Sequence, residues 1–106
     1  MTILTADQHN HGQTVQLAVG DTLELRLPEN PTTGYQWVTT TIDNTLLSEL
    51  AHDFIPPATD AYGAGGVRIL RYRALARGRS PLELTLRREW EPENPIDHFK
   101  LDVIVT

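Results

Sequence analysis

The chain has 106 residues, a formal net charge of −5 and no cysteine. That length is one domain with enough material for an apolar core, and the missing cysteines exclude disulfides, thiolate nucleophiles and cysteine metal sites. An acidic chain with a single lysine is a poor fit to nucleic acid or to an anionic membrane, because both are gripped by clustered Lys and Arg. No stretch approaches the roughly 18 apolar residues of a membrane span. Residues 1–12 have neither the basic nor the apolar region of a signal peptide. The chain as given therefore reads as cytoplasmic, or as periplasmic or secreted where a leader has been removed.

The dominant hydrophobic period is two, the signature of strands with one buried face. Val15, Leu17 and Val19 open it, alternating with Thr14, Gln16 and Ala18. Gly20-Asp21 predicts a tight hairpin into a second run, where Leu23, Leu25 and Leu27 alternate with Thr22, Glu24 and Arg26. Residues 35–41 are rich in aromatic and β-branched types and predict another strand, with Trp37 in the core or at its rim. The stretch 43–51 is the one helix-like segment. Asp43 or Asn44 is suited to cap it, and Leu46, Leu47 and Leu50 share a helical face. Residues 52–55 form a candidate short strand before Pro56-Pro57. Over 66–76, Leu70, Tyr72 and Ala74 are expected inward and Arg71 and Arg73 outward. Arg77-Gly78-Arg79 predicts a second hairpin, leading into Leu82, Leu84 and Leu86. Phe99, Leu101, Val103 and Val105 supply the inward face of the last strand.

Six or seven short strands at this spacing predict an all-β fold. The expected architecture is an immunoglobulin-like antiparallel β-sandwich of about seven strands with no disulfide, spanning 1–106 as a single domain. Successive strands reverse direction, so alternate connections emerge at the same end. The long and compositionally unusual connections 29–34, 57–66 and 89–97 fall together by that count. The plain turns at Gly20 and Gly78 fall at the other end. Recognition is expected at the end with the unusual loops.

Each of those loops has a physical character. In Asn30-Pro31-Thr32-Thr33-Gly34-Tyr35, Pro31 fixes its own φ and pushes Asn30 toward an extended conformation. Gly34 supplies a positive φ or a close backbone approach, and Thr32 and Thr33 are stiff and carry hydroxyls. A rigid projection of this kind has little entropy to lose on binding. The glycines of Gly63-Ala64-Gly65-Gly66 remove side chains and suit a close backbone approach to a partner; a plain flexible connection fits them too. Trp90 stands where the strand period runs out, near Arg87 and Arg88. It reads either as an exposed binding anchor or as a ring folded back over the end of the sandwich.

Enzyme readings find no support. His9, His11, His52 and His98 are scattered, and His9-Asn10-His11 lies in a terminus expected to fray, with no third metal ligand nearby. Ser48 and Ser80 lack a nucleophile-elbow context. Glu89, Glu91 and Glu93 are spaced like a solvated rim. Nothing assembles a nucleophile, a base and oxyanion donors, so neither catalysis nor a cofactor or metal is expected.

Taken jointly, Asn30-Pro31-Thr32-Thr33-Gly34-Tyr35, then Gly63-Ala64-Gly65-Gly66, then Arg88-Glu89-Trp90, in that order on an all-β chain, resemble the chagasin family of cysteine-peptidase inhibitors. The resemblance spans essentially the whole chain, and the first motif is its most specific part. It implies reversible inhibition of papain-like cysteine peptidases by three loops at one end of the sandwich. It implies that 30–35 enters the catalytic cleft, with Thr32 and Thr33 at the catalytic centre. Residues 63–66 then lie along the substrate-binding side, and Arg88 and Trp90 pack on the other flank. A monomer best leaves such a wedge free. One position departs: the family's proline between Arg and Trp is Glu89 here, which implies a more mobile third loop and a larger share of the binding for 30–35. The alternative is a non-inhibitory recognition module, for adhesion or carbohydrate binding, on the same fold.

Overall fold

The computed structural model describes residues 2–50, 52–56 and 65–106. Among them are nine strands: β1 (Ile3–Asp7), β2 (Thr14–Leu17), β3 (Thr22–Glu29), β4 (Tyr35–Thr41), β5 (Leu47–Glu49), β6 (Asp53–Ile55), β7 (Gly66–Ala74), β8 (Gly78–Arg88) and β9 (Asp97–Val105). They form two facing sheets. One has the order β1-β3-β7-β5, with β6 also paired to β7; the other has the order β2-β9-β8-β4. Pairing is antiparallel except for β1 with β3 and β2 with β9.

The alternation seen in the sequence sets which face of each strand is buried. Leu23, Leu25, Leu27, Leu70, Tyr72 and Ala74 from the first sheet meet Trp37, Leu82, Leu84, Phe99, Leu101, Val103 and Val105 from the second. Each buried Leu contributes about 1.5–3 kcal/mol relative to exposure. Truncating one with no exposed surface, such as Leu25, is expected to cost about 2–5 kcal/mol through the lost transfer energy and the cavity left behind. The fold is the expected all-β sandwich, and the short strand expected at 52–55 is β6.

Three local expectations are corrected. The turns at Gly20 and Gly78 are not hairpins, because β2 and β3, and likewise β7 and β8, belong to different sheets. The Gly20 turn is stitched to both sheets: Gly20 N donates to the Ala74 carbonyl and Val19 N to the Thr106 carbonyl. Asp21 fastens it by accepting from Ala18 N and Thr2 N, each at 3.0 Å. Val19 consequently sits in the crossing, half exposed, and not in the core.

The 43–51 segment holds one turn and no helix. Asp43 does cap that turn, accepting from Thr45 N at 2.9 Å and Thr45 Oγ1 at 2.6 Å. Leu47 then goes fully buried opposite Ala74, and that strand pairing overrides the helical spacing of the leucines. The His9-Asn10-His11 segment is not frayed. Gln8–Asn10 is a 3-10 turn held by a reciprocal cap between Asp7 and Asn10, and His11 Nδ1 accepts from Lys100 N at 3.1 Å.

Strand directions bring the unusual connections to one end. β3 and β8 run toward it, while β4, β7 and β9 start from it. β5 and β6 both run antiparallel to β7 and act as one interrupted strand. The loops 30–34 and 89–96 therefore emerge together, beside Pro56 and Gly65, the two stems of the third connection. The 3-10 turn that follows β1 is a fourth feature at the same end.

Candidate functional site

The central loop, 30–34, carries the chain from β3 in one sheet to β4 in the other. Asn30 sets its shape. Its side-chain Oδ1 accepts from Thr32 N at 3.0 Å and from Thr32 Oγ1 at 2.8 Å, an Asx-type turn. Its carbonyl accepts from Thr33 Oγ1 at 2.9 Å, and Thr33 Oγ1 accepts in turn from Tyr35 N at 3.3 Å. Both threonine hydroxyls are thus engaged inside the loop. Gly34 closes the turn at φ +79°, a conformation that side chains other than glycine rarely adopt. Pro31 and Thr32 are exposed at the tip, and Thr33 and Tyr35 are half-buried.

The third loop folds onto the first. Glu91 N donates to the Arg88 carbonyl at 3.1 Å, which closes a four-residue turn with Glu89 and Trp90 at its centre. Trp90 is 66% exposed, which excludes a ring folded back into the sandwich. Its indole instead lies against Gly34. Arg88 fastens the contact. It is paired in register with Tyr35, its guanidinium lies 4.3 Å from the Tyr35 ring centre and 5.7 Å from that of Trp90, and its Nε donates to the Thr33 carbonyl at 3.1 Å. Cation–π contacts of this kind are worth about 0.5–2 kcal/mol. The two loops therefore form one ridge.

The glycine cluster is only partly visible. Gly63 and Ala64 lie outside the described residues. Gly65 is exposed beside the stem of the central loop, where an added Cβ would stand 4.0 Å from the Glu29 carbonyl. Gly66 is buried: a Cβ there would come within 2.4 Å of the Ile55 carbonyl and 2.5 Å of the Phe54 ring. Its lack of a side chain answers to the packing of β6 on β7.

Beneath the loops lies a group that the sequence reading passed over. The carboxylate of Glu29 is buried between the sheets, accepting from Trp37 N across the sandwich and from the Arg68 guanidinium on β7. Trp37 Nε1 adds a hydrogen bond to the Pro28 carbonyl at 2.9 Å. The stems of the central loop are thereby cross-tied. A concavity of about 320 Å³ lies elsewhere, on the outer face of the second sheet beside Gly12, Pro81 and Lys100. At the loop end Pro31, Thr32 and Trp90 are exposed side by side, an arrangement suited to contact with a macromolecule.

Comparison with known proteins agrees with this geometry. Residues 16–103 match the family model described as chagasin family peptidase inhibitor I42. Chagasin of Trypanosoma cruzi is 35% identical over 96 residues, covering 86% of each chain. The crystal structure of the cysteine protease inhibitor EhICP2 from Entamoeba histolytica superposes with a TM-score of 0.88 at 18% identity, over 99% of this chain and 96% of that one. PbICP-C, solved in complex with falcipain-2, superposes with a TM-score of 0.76 at 17% identity, over 97% and 99%. At those identities the two structures speak for the fold, and the family model and chagasin speak for the family. The matched segment contains all three loops. The chain belongs to the chagasin family of peptidase inhibitors and is an inhibitor, not an enzyme.

Proposed function

We propose that this inhibitor acts as a monomer, closing the cleft of a papain-like cysteine peptidase with the ridge formed by the 30–34 loop and the Arg88–Trp90 turn. In this reading Asn30, Pro31, Thr32, Thr33, Gly34 and Tyr35 enter the cleft. Gly63, Ala64, Gly65 and Gly66 flank one side, with Gly66 acting through packing, and Arg88 and Trp90 flank the other. Two similar folds support the partner class: one is a cysteine protease inhibitor, and another was solved bound to falcipain-2.

The observation that carries the reading is the network of hydrogen bonds that holds the central loop in one conformation. A cysteine peptidase needs a substrate carbonyl held in line with its thiolate and free to take oxyanion hydrogen bonds. The Asn30 carbonyl already accepts from Thr33, and the Thr33 carbonyl already accepts from Arg88. A loop tied this way is stiff enough to fill the cleft while holding its own carbonyls out of line with the thiolate. Three loops can bury about the standard ~800 Å² per partner, and a stiff ridge loses little entropy in doing so.

Titration of papain tests the reading. The parent is expected to abolish activity at near-stoichiometric concentration, with Thr32→Ala, Thr33→Ala and Trp90→Ala weaker. No inhibition by the parent, or no loss in any variant, would sink it. Sugar-dependent binding indifferent to both threonines would favour a carbohydrate module instead.

A further inference from the structure

Glu29 is only 3% exposed, and a buried carboxylate is costly unless every acceptor is satisfied. Here each oxygen is. Oε1 accepts from Trp37 N at 2.9 Å, while Oε2 accepts from Arg68 Nε at 3.0 Å and Arg68 Nη2 at 2.6 Å. Arg68, itself with a side chain only 13% exposed, has further contacts: its guanidinium lies 5.1 Å from the Phe54 ring centre, and its Nη1 is 3.2 Å from His52 Nδ1. A chain of contacts thus runs from β4 through Glu29 and Arg68 to β6. It touches both stems of the central loop, at Glu29 and Trp37, and both stems of the 56–65 connection, at Phe54 and Arg68. The sandwich does not require a charge here, since apolar residues of similar volume often serve a core as well as a buried ion pair.

We propose that the Glu29–Arg68 pair is a positioning device, holding the two stems of the central loop at a fixed offset from the paired β6 and β7 so that the 30–34 loop meets the peptidase in one orientation. Neither residue touches the target; they act through the backbone of Trp37 and the stems of β6 and β7. This inference rests on the inhibitory reading of the loop end. It adds two residues to the inhibitory machinery that no loop motif contains.

The test compares Arg68→Met, Arg68→Lys and Glu29→Gln with a control, Tyr72→Phe. The control removes a different buried cross-sheet hydrogen bond, between Tyr72 Oη and Thr39 Oγ1 at 2.7 Å, away from the loops. Two quantities are read: the inhibition constant against papain, and amide exchange at Thr32 and Trp37 in the free inhibitor. Arg68→Met is expected to raise the inhibition constant at least about tenfold and to speed exchange at both amides. Arg68→Lys should fall between it and the parent. Tyr72→Phe should lower Tm and leave both readings unmoved. Unchanged inhibition and exchange in Arg68→Met would overturn the proposal, as would an equal loss of inhibition in Tyr72→Phe at matched Tm. Should Arg68→Met not fold, Glu29→Gln, which keeps the acceptor for Trp37 N, decides in the same way. If the parent itself fails to inhibit papain, the functional reading falls, while exchange at Thr32 and Trp37 in the free inhibitor still judges whether the pair orders the central loop and its stem.

Discussion

The indole of Trp90 lies directly on Gly34, so that a Cβ built on the glycine would stand 2.6 Å from Trp90 Cη2. Gly34 therefore answers to two demands at once, its φ of +79° and the ring above it. Gly34→Ala should strain the backbone by about 1–3 kcal/mol and push the ring off the ridge. The expected result is at least about a tenfold rise in the inhibition constant against papain. In a double-mutant cycle with Trp90→Ala, a coupling of about 0.5–3 kcal/mol is expected. Simple additivity would show that the two residues act independently.

Asn30 orders the tip through four acceptor contacts, two from its side chain and two from its carbonyl. Asn30→Ala removes the side-chain pair. Because the site is on a surface loop, global stability should fall by no more than about 1 kcal/mol, while inhibition weakens by about tenfold or more as the tip gains conformations to lose. Asn30→Asp keeps an acceptor in the same place and should keep the loop ordered, as read by exchange at the Thr32 amide. An Asn30→Ala variant that inhibits like the parent would remove loop order from the explanation.

Glu89 occupies the second position of the turn closed by Glu91 N and the Arg88 carbonyl, the position where proline is favoured. Glu89→Pro should stabilise the free inhibitor by about 0.4–1 kcal/mol through the unfolded state and slow dissociation from papain. Surface plasmon resonance with the pair of proteins checks the second point. A faster off-rate in the proline variant would mean that the ridge already holds Trp90 through Gly34 and Arg88 and that Glu89 contributes a contact of its own.

Much of this was legible from alternation. The phase that buries Leu23, Leu25 and Leu27 also fixed the inward faces of β7, β8 and β9, and strand parity then gathered the loops. The same phase, carried two residues further, lands on Glu29. A charge falling on a buried face is a signal for a partnered interior carboxylate, and it was available before the structure. What no local pattern carried was its partner Arg68, 39 residues away. Sheet membership was also hidden. The turn chemistry at Gly20 and Gly78 is the same whether a chain returns within a sheet or crosses to the other, and only long-range pairing, of β2 and β8 with β9 and of β3 with β7, separates the two cases. The leucines of 43–51 fit a helix by spacing, but Leu47 gains more from burial opposite Ala74 than one extra turn would provide.

Acid should loosen the fold in a defined window. The Asp21 carboxyl is held below its ordinary value of 3.8 by the backbone amides of Ala18 and Thr2. Thr45 does the same for Asp43 through its hydroxyl and amide, and the Arg79 guanidinium does so for Asp102. At Glu24 burial pushes the carboxyl up, but Arg26 and Arg71 together outweigh it and hold it below 4.5. A carboxyl whose folded pKa is depressed stabilises fully above its unfolded value, and that stability drains away as pH falls through the folded value. The contribution of these four groups is therefore complete above about pH 5 and is lost progressively below about 4.5. Thermal unfolding across that range should show Tm falling with acid, with a shallower fall for Glu24→Gln, which no longer titrates at that site. A Tm that stays level down to about pH 3, or a Glu24→Gln profile parallel to the parent's, would show that the Arg26–Glu24–Arg71 cluster does not couple folding to protons.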